Sequence, residues 1–210
     1  MFFIGLLTFF YWATNSWFTE TISKNPTAFL VVIIIGLISF FVVSIFGSRM
    51  NLFFLLLGFF FSVPFLAFLI GTSLAFYLPN LNLQWTFLLF AAPVVIMGIF
   101  GIIGYYELID ITKISRLSMV LGVVFLICVI VSFFIYGPSL HMLITVVGLI
   151  LICLGTSIDF YVMRREFETA IYHDKKQMVK ISVYFGIRLF FNYVMMLYYL
   201  IRFLGIFSRN

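Results

Sequence analysis

Long runs of apolar residues separated by short polar connections dominate the chain. Seven such runs can be counted, at residues 2–18, 28–47, 52–78, 85–106, 117–136, 140–163 and 181–205. Each is close to or above the roughly 20 helical residues that cross the hydrocarbon core of a bilayer. Only helices and closed barrels satisfy every backbone polar group inside lipid. The pattern therefore predicts an all-α polytopic membrane protein with seven transmembrane helices, forming a single domain over residues 1–210.

The composition excludes several other classes of protein. Of 210 residues, hydrophobic types make up 65% and charged types 9%, whereas a soluble domain is about half apolar and about a quarter charged. This excludes water-soluble enzymes, disordered proteins and nucleic-acid binders. The net charge of +5 is typical of loop charge in a membrane protein. The spans leave no room for a separate soluble domain.

The Lys and Arg positions predict an orientation. The second, fourth and sixth loops share the side of the N-terminus, and they carry Arg49, Lys113, Arg116, Arg164, Arg165, Lys175, Lys176 and Lys180. The other side carries Lys24, Arg202 and Arg209. Because cytoplasmic loops are enriched in Lys and Arg, we expect a multi-pass cell-membrane protein with its N-terminus in the cytoplasm and its C-terminus outside.

Two ionisable residues inside predicted spans are candidates for function, because a charge inside a membrane is costly. Asp159 lies in the sixth span, before the basic Arg164, and Arg188 lies in the seventh span. Antiparallel neighbouring helices would place Asp159 and Arg188 at comparable depth. Asp159 is therefore interpreted as an ion or proton site, as a structural ion pair with Arg188 or Arg49, or as a helix-end residue that reaches water.

Residues for intramembrane catalysis are not found in the sequence. The spans hold one Asp and no Glu, whereas an aspartyl protease needs two facing carboxylates. No Gly-x-Ser-x-Gly motif accompanies His141 or His173. Cys128 and Cys153 lie inside apolar runs and form no metal or disulfide pattern. We expect no enzymatic activity, no metal centre and no resident cofactor.

Prolines and glycines interrupt two of the spans. Pro64 and Pro93 lie within the third and fourth spans, where each would kink its helix, as a hinge or as a tolerated bend. Gly98, Gly101 and Gly104 recur at intervals of three in the fourth span. Small residues at helical spacing predict close packing against another helix.

Several short motifs in the second half of the chain form a set. A charged loop at residues 107–116 leads into Leu-Ser-Met-Val-Leu-Gly at 117–122, and Gly-Pro-Ser-Leu follows at 137–140. Ser-Ile-Asp at 157–159 precedes basic residues, and Tyr-Leu-Ile-Arg-Phe-Leu-Gly follows at 199–205. These motifs resemble the Bax inhibitor-1 family, also called the transmembrane Bax inhibitor motif family. The resemblance implies a bundle of six helices around a central seventh helix.

The same resemblance implies a pH-sensitive calcium leak, in which aspartates of the sixth and seventh spans share a proton and an arginine of the second span can bind the first aspartate. Asp159 matches the first aspartate, and Arg49 is the candidate arginine. Two alternative alignments place Asn192 or Gly186 at the position of the second, and neither residue is acidic. Without a carboxylate pair to titrate, we expect weak or pH-insensitive gating through Asp159 paired with Arg188 or Arg49, and a transient calcium ion.

Two other functions remain open. One is a non-conducting interaction protein that modulates a membrane protease or a stress response, with the loop at residues 164–180 as its docking surface. The other is a small-solute transporter, although the sequence shows no internal repeat of the kind that many transporters contain. The expected partners are therefore the lipid bilayer, calcium or another cation, and a membrane protein that binds through residues 164–180, with no nucleic acid.

Overall fold

The computed structural model describes residues 26–77, 83–132, 134–135, 137–170 and 175–207. Within these ranges the chain contains six α-helices and no strand. The helices are α1 Pro26–Phe46, α2 Leu52–Tyr77, α3 Leu83–Tyr105, α4 Ile111–Ser132, α5 Pro138–Ala170 and α6 Lys175–Phe207. They follow the second to seventh predicted spans in order, and the span predicted at residues 2–18 lies outside the described residues.

Five of these helices are long and apolar enough to cross a membrane. The candidate spans lie within α2 to α6, and α1 contributes a shorter apolar segment, Leu30–Phe46. Apolar side chains cover nearly the whole circumference of such helices, as expected where lipid rather than water surrounds them. The all-α, multi-pass membrane character is confirmed by length and composition, whereas the count of seven spans stays a prediction.

The start of α4 corrects the predicted loop at residues 107–116. The helix begins at Ile111 because Asp110 caps its N-terminus: the Thr112 N–H donates to Asp110 Oδ1 at 2.9 Å. Side-chain acceptors at this position satisfy N–H groups that the first helical turn leaves without partners. The fourth connection is therefore short, and the second half of the predicted loop is helix.

The predicted loop at residues 164–180 is also largely helical. α5 continues to Ala170 and α6 begins at Lys175, so only residues 171–174, which lie outside the described residues, separate the two helices. Glu, Arg, Lys and Gln are good helix formers, and they dominate both polar extensions. The polar tract at 165–170 is helix-compatible in sequence, and it continues α5 past its apolar segment. The predicted loop is shorter at its other end, because α6 begins at Lys175.

The described chain divides into two compact units. The first unit contains the residues up to Leu74 and those from Phe167 to Phe191. Phenylalanine rings form its core: the centroids of Phe40 and Phe191 are 4.8 Å apart, and those of Phe59 and Phe190 are 5.4 Å apart. The helices α1, α2 and the first half of α6 therefore pack through aromatic contacts.

The second unit contains residues 75–166 together with the chain from Asn192 onward. Here α3, α4 and α5 occur with the second half of α6. Gly148 of α5 faces the Tyr199 ring, because an added Cβ would lie 2.6 Å from Tyr199 Cε1. The α6 span is 50% buried and the α4 span only 6%, so α4 is the span that exposes most of its surface. The prediction of a single domain over residues 1–210 stays a prediction.

Candidate functional site

Asp159 is a buried carboxylate inside the α5 candidate span. Only 3% of its surface is exposed, and Asn192 Nδ2 of α6 donates a hydrogen bond of 2.7 Å to Asp159 Oδ2. The side-chain amide of Asn192 therefore supplies one hydrogen-bond donor to the buried carboxyl group.

Two small polar residues lie on α5 just before Asp159. Both Thr156 and Ser157 are fully buried. Thr156 Oγ1 donates to the Ile152 carbonyl of its own helix at 2.8 Å, whereas Ser157 Oγ donates across to the Phe100 carbonyl of α3, also at 2.8 Å. Hydroxyl groups inside a membrane protein commonly donate hydrogen bonds to backbone carbonyls in this way. Ser157 thus joins α3 to α5 two residues from the carboxylate.

Glycines of α3 allow this close approach. A Cβ added at Gly104 would overlap the Ser157 carbonyl oxygen, and one added at Gly101 would lie 2.9 Å from Phe160 Cε2. At Gly98 an added Cβ would meet no described residue within 4 Å. The predicted close packing is confirmed for Gly101 and Gly104, whereas Gly98 is exposed among the described residues.

The residue after Asn192 makes a second polar contact from α6 to α3. Tyr193 OH donates to the Phe90 carbonyl at 3.2 Å, in the turn that precedes Pro93. Because proline has no N–H, Pro93 removes the helical hydrogen bond to the carbonyl four residues earlier, and side chains of neighbouring helices can bond in that region. Asn192 and Tyr193 therefore attach the second half of α6 to both α5 and α3.

Arg164 marks the end of the apolar part of α5. Its Nη1 donates to the Tyr105 carbonyl at the C-terminus of α3 at 2.7 Å, and its guanidinium lies 5.5 Å from the Tyr105 ring centroid. The same nitrogen is 3.7 Å from Glu107 Oε1, with side chains 34% and 54% exposed. Exposed ion pairs contribute little, so the bond to the helix end is the stronger part of this contact.

Glu107 ends α3 in an unusual backbone conformation. Its φ is 53°, in the left-handed region that glycine normally occupies. The Glu107 N–H bonds to the Gly104 carbonyl at 3.4 Å, and the Leu108 N–H bonds to the Ile103 carbonyl at 3.1 Å. This pair of bonds is a Schellman motif, with a glutamate where the motif prefers glycine.

The other predicted site residues lie in the first unit. Arg188 Nη1 donates to the Tyr184 hydroxyl one turn earlier on α6 at 2.7 Å. Arg49 is exposed in the turn after α1, and Gly186 is partly buried on α6. The predicted pairing of Asp159 with Arg188 or Arg49 stays a prediction.

A second polar cluster lies where α5 begins and α6 ends. Arg202 Nη1 donates to the Tyr198 hydroxyl at 3.1 Å, and Nη2 lies 3.4 Å from His141 Nδ1. The guanidinium is 5.5 Å from the centroid of the Tyr198 ring. The sequence did not suggest this cluster, because His141 and Arg202 are far apart in the chain and each resembles an ordinary interfacial residue.

In the sequence, Asn192 is one of two residues that can match the second aspartate of the resemblance, and in the structure it lies against Asp159. The sequence feature that points to Asn192 is a lone side-chain amide within an apolar run. Among the described residues there is no group of three or more His, Cys, Asp and Glu side chains that could hold a metal ion. No protein-family model matches the chain, and no curated protein or solved structure is significantly similar to it. The resemblance to the Bax inhibitor-1 family therefore rests on the motifs alone.

Proposed function

We propose that this chain is a seven-span membrane protein of the Bax inhibitor-1 type that lets calcium, or another cation, leak across a cell membrane. Asp159 is the ion-site residue in this proposal, and the hydrogen bond from Asn192 to its buried carboxylate is the observation that carries it. Ionisable residues inside membrane spans are rare and mark ion pathways. The large buried share of α6 supports its role as the central helix.

The chemistry of the pair suits a hard cation. Calcium binds carboxylate oxygens and the carbonyl oxygens of asparagine side chains, and Asp159 and Asn192 together offer both. An amide does not titrate, so the pair has one titratable group instead of two that share a proton. We therefore expect a leak with weak dependence on pH.

Calcium flux into liposomes that contain the purified chain tests this proposal. The measurement compares pH 6 with pH 8, and it compares the wild type with Asp159→Asn. Asp110→Asn is the matched control, because it makes the same chemical change at an exposed helix cap. Loss of an interaction worth about 1.4 kcal/mol corresponds to a tenfold change, so we expect Asp159→Asn to lower flux at least about tenfold.

The outcomes separate the proposal from its alternatives. Flux that depends on Asp159 and changes little between pH 6 and pH 8 supports it. Unchanged flux in Asp159→Asn, or equal loss in Asp110→Asn, contradicts the role of the buried carboxylate. No flux above that of empty liposomes contradicts conduction itself.

A non-conducting interaction protein is the second candidate. The observation that favours it is the polar extension of α5 and α6 beyond their apolar segments, where Arg165, Glu168 and Lys176 are exposed. A partner protein that copurifies with the wild type and is lost from an Arg165→Ala/Lys176→Ala variant would support it. Copurification that does not depend on these residues would contradict it.

A further inference from the structure

We propose that Arg202 and His141 form a phosphate-binding site at the end of the second unit where α5 begins and α6 ends. The site is independent of the proposed leak and lies at the opposite end of α5 from Arg164. Its ligand class is a phosphate group, carried by a phospholipid headgroup or free in solution.

The contacts of Arg202 hold the guanidinium in place without neutralising it. Tyr198 accepts one hydrogen bond through its hydroxyl and lies beneath the guanidinium with its ring. Arginine only donates, and Nη2 lies 3.4 Å from His141 Nδ1. Neither partner carries a negative charge, and the five N–H donors of a guanidinium exceed these two contacts.

The charge of Arg202 is therefore not balanced by the residues that the structure describes. Among the described residues, no carboxylate makes an ion pair with Arg202, whereas Arg164 at the other end of α5 has Glu107. A partly buried guanidinium in a region of low dielectric constant is costly unless an anion accompanies it. Arginine binds phosphate through two parallel N–H donors. A phosphate group would therefore balance the charge of Arg202 and accept hydrogen bonds from its remaining N–H donors.

The depth of the cluster places it where phosphates occur. The candidate spans run over Ser139–Thr169 and Lys176–Gly205, so His141 lies close to the start of one span and Arg202 close to the end of the other. With a helical rise of about 1.5 Å per residue, both residues lie within roughly one turn of the span ends. Lipid headgroups occupy this level, and arginine side chains near helix ends extend towards them.

Thr145 helps to position the histidine. Its fully buried side chain donates to the His141 carbonyl at 2.7 Å within the first turns of α5. This local bond fixes the backbone at His141 and does not use the imidazole. The ring lies beside Arg202, with Nδ1 3.4 Å from Nη2.

Lipid and phosphate binding to the purified full-length chain tests the site. Dioleoylphosphatidylglycerol is titrated into the protein in detergent, and bound lipid is counted by native mass spectrometry. Dioleoylglycerol is the control lipid, because it has the same acyl chains and no phosphate. A second arm replaces sodium chloride with sodium phosphate at constant ionic strength and follows the melting temperature.

Three variants define the outcome. Arg202→Gln keeps hydrogen-bonding capacity and loses the charge, Arg202→Lys keeps the charge and loses the two-pronged geometry, and Arg116→Gln removes the same charge from an exposed position on α4. We expect Arg202→Gln to weaken binding of phosphatidylglycerol at least about tenfold, Arg202→Lys to weaken it less, and Arg116→Gln to resemble the wild type.

Each result has a defined meaning. Selective loss in Arg202→Gln supports the site, and the arm that responds identifies the phosphate as lipid-borne or free. Equal losses in Arg202→Gln and Arg116→Gln would overturn it, because they indicate diffuse attraction by surface charge. Binding of dioleoylglycerol as tight as that of phosphatidylglycerol would also overturn it. If Arg202→Gln does not fold, Arg202→Lys and His141→Gln decide between the same outcomes.

Discussion

The contact between α3 and α5 beside Asp159 makes a sharp prediction for Gly104→Ala. The new Cβ would overlap the Ser157 carbonyl oxygen, which is a backbone atom and cannot rotate away. The two helices must separate, and separation breaks the hydrogen bond from Ser157 Oγ to the Phe100 carbonyl.

The loss in the free energy of unfolding caused by Gly104→Ala has two contributions. Overpacking a tight contact costs about 1–3 kcal/mol, and a lost hydrogen bond costs about 1 kcal/mol. The free energy of unfolding should therefore fall by about 2–4 kcal/mol. At about 2–4 °C per kcal/mol for a chain of this size, the melting temperature should fall by roughly 4–16 °C.

Cys153 reports the melting of this region. It is buried on α5, so a thiol-reactive dye labels it only when the helices separate. A Cys128→Ser background leaves Cys153 as the sole cysteine of the chain. Gly98→Ala is the matched control, since it makes the same substitution on the same helix at a position where an added Cβ meets none of the described residues within 4 Å.

The melting temperature should fall in Gly104→Ala but not in Gly98→Ala. Alanine is a better helix former than glycine by up to about 1 kcal/mol, so Gly98→Ala should melt at or slightly above the wild-type temperature. A melting temperature of Gly104→Ala within experimental error of the wild type would refute the close backbone approach. Equal destabilisation by both variants would refute it too, because it would reflect glycine itself and not the contact.

Three further predictions concern other contacts of the second unit. Asn192→Asp places a second carboxylate beside Asp159, and because two adjacent carboxylates do not both ionise easily, calcium flux should become dependent on pH between pH 6 and pH 8. Glu107→Gly should raise the free energy of unfolding by about 1 kcal/mol, measured by thermal melting, because glycine adopts a φ of 53° without a Cβ clash. Asp110→Ala should speed amide hydrogen exchange at Thr112. Hydrogen bonds from the Thr112 backbone and side chain lower the pKa of Asp110 from 3.8, so this cap stabilises α4 above pH 3.8 and its contribution disappears as the pH falls through the lowered pKa.

Conservative variants control these three experiments. Asn192→Leu removes the amide without adding a carboxylate and should leave flux independent of pH; pH dependence in both variants would contradict the carboxylate pair. Glu107→Ala removes the carboxylate but keeps the Cβ, so a gain equal to that of Glu107→Gly would contradict the role of φ. Asp110→Asn keeps an acceptor, and exchange as fast as in Asp110→Ala would contradict capping.

The helices and the buried carboxylate could be predicted from the sequence because both depend on the cost of polar groups in lipid. Apolar runs of spanning length require helices, and a lone Asp in such a run requires a partner. The helix ends were harder to predict, since Asp110 and the charged residues at 164–170 extend helices beyond the apolar boundary.

The tertiary structure alone decided which side chains meet. Helices that are apolar on almost every side have no polar face to set their rotation, so the sequence could not choose between Asn192 and Gly186 as the neighbour of Asp159. The structure brings Asn192 to the carboxylate, turns Gly104 towards α5, and places Arg202 beside His141. Composition determined that this chain belongs in a membrane, and the rotation and depth of each packed helix determined its polar contacts.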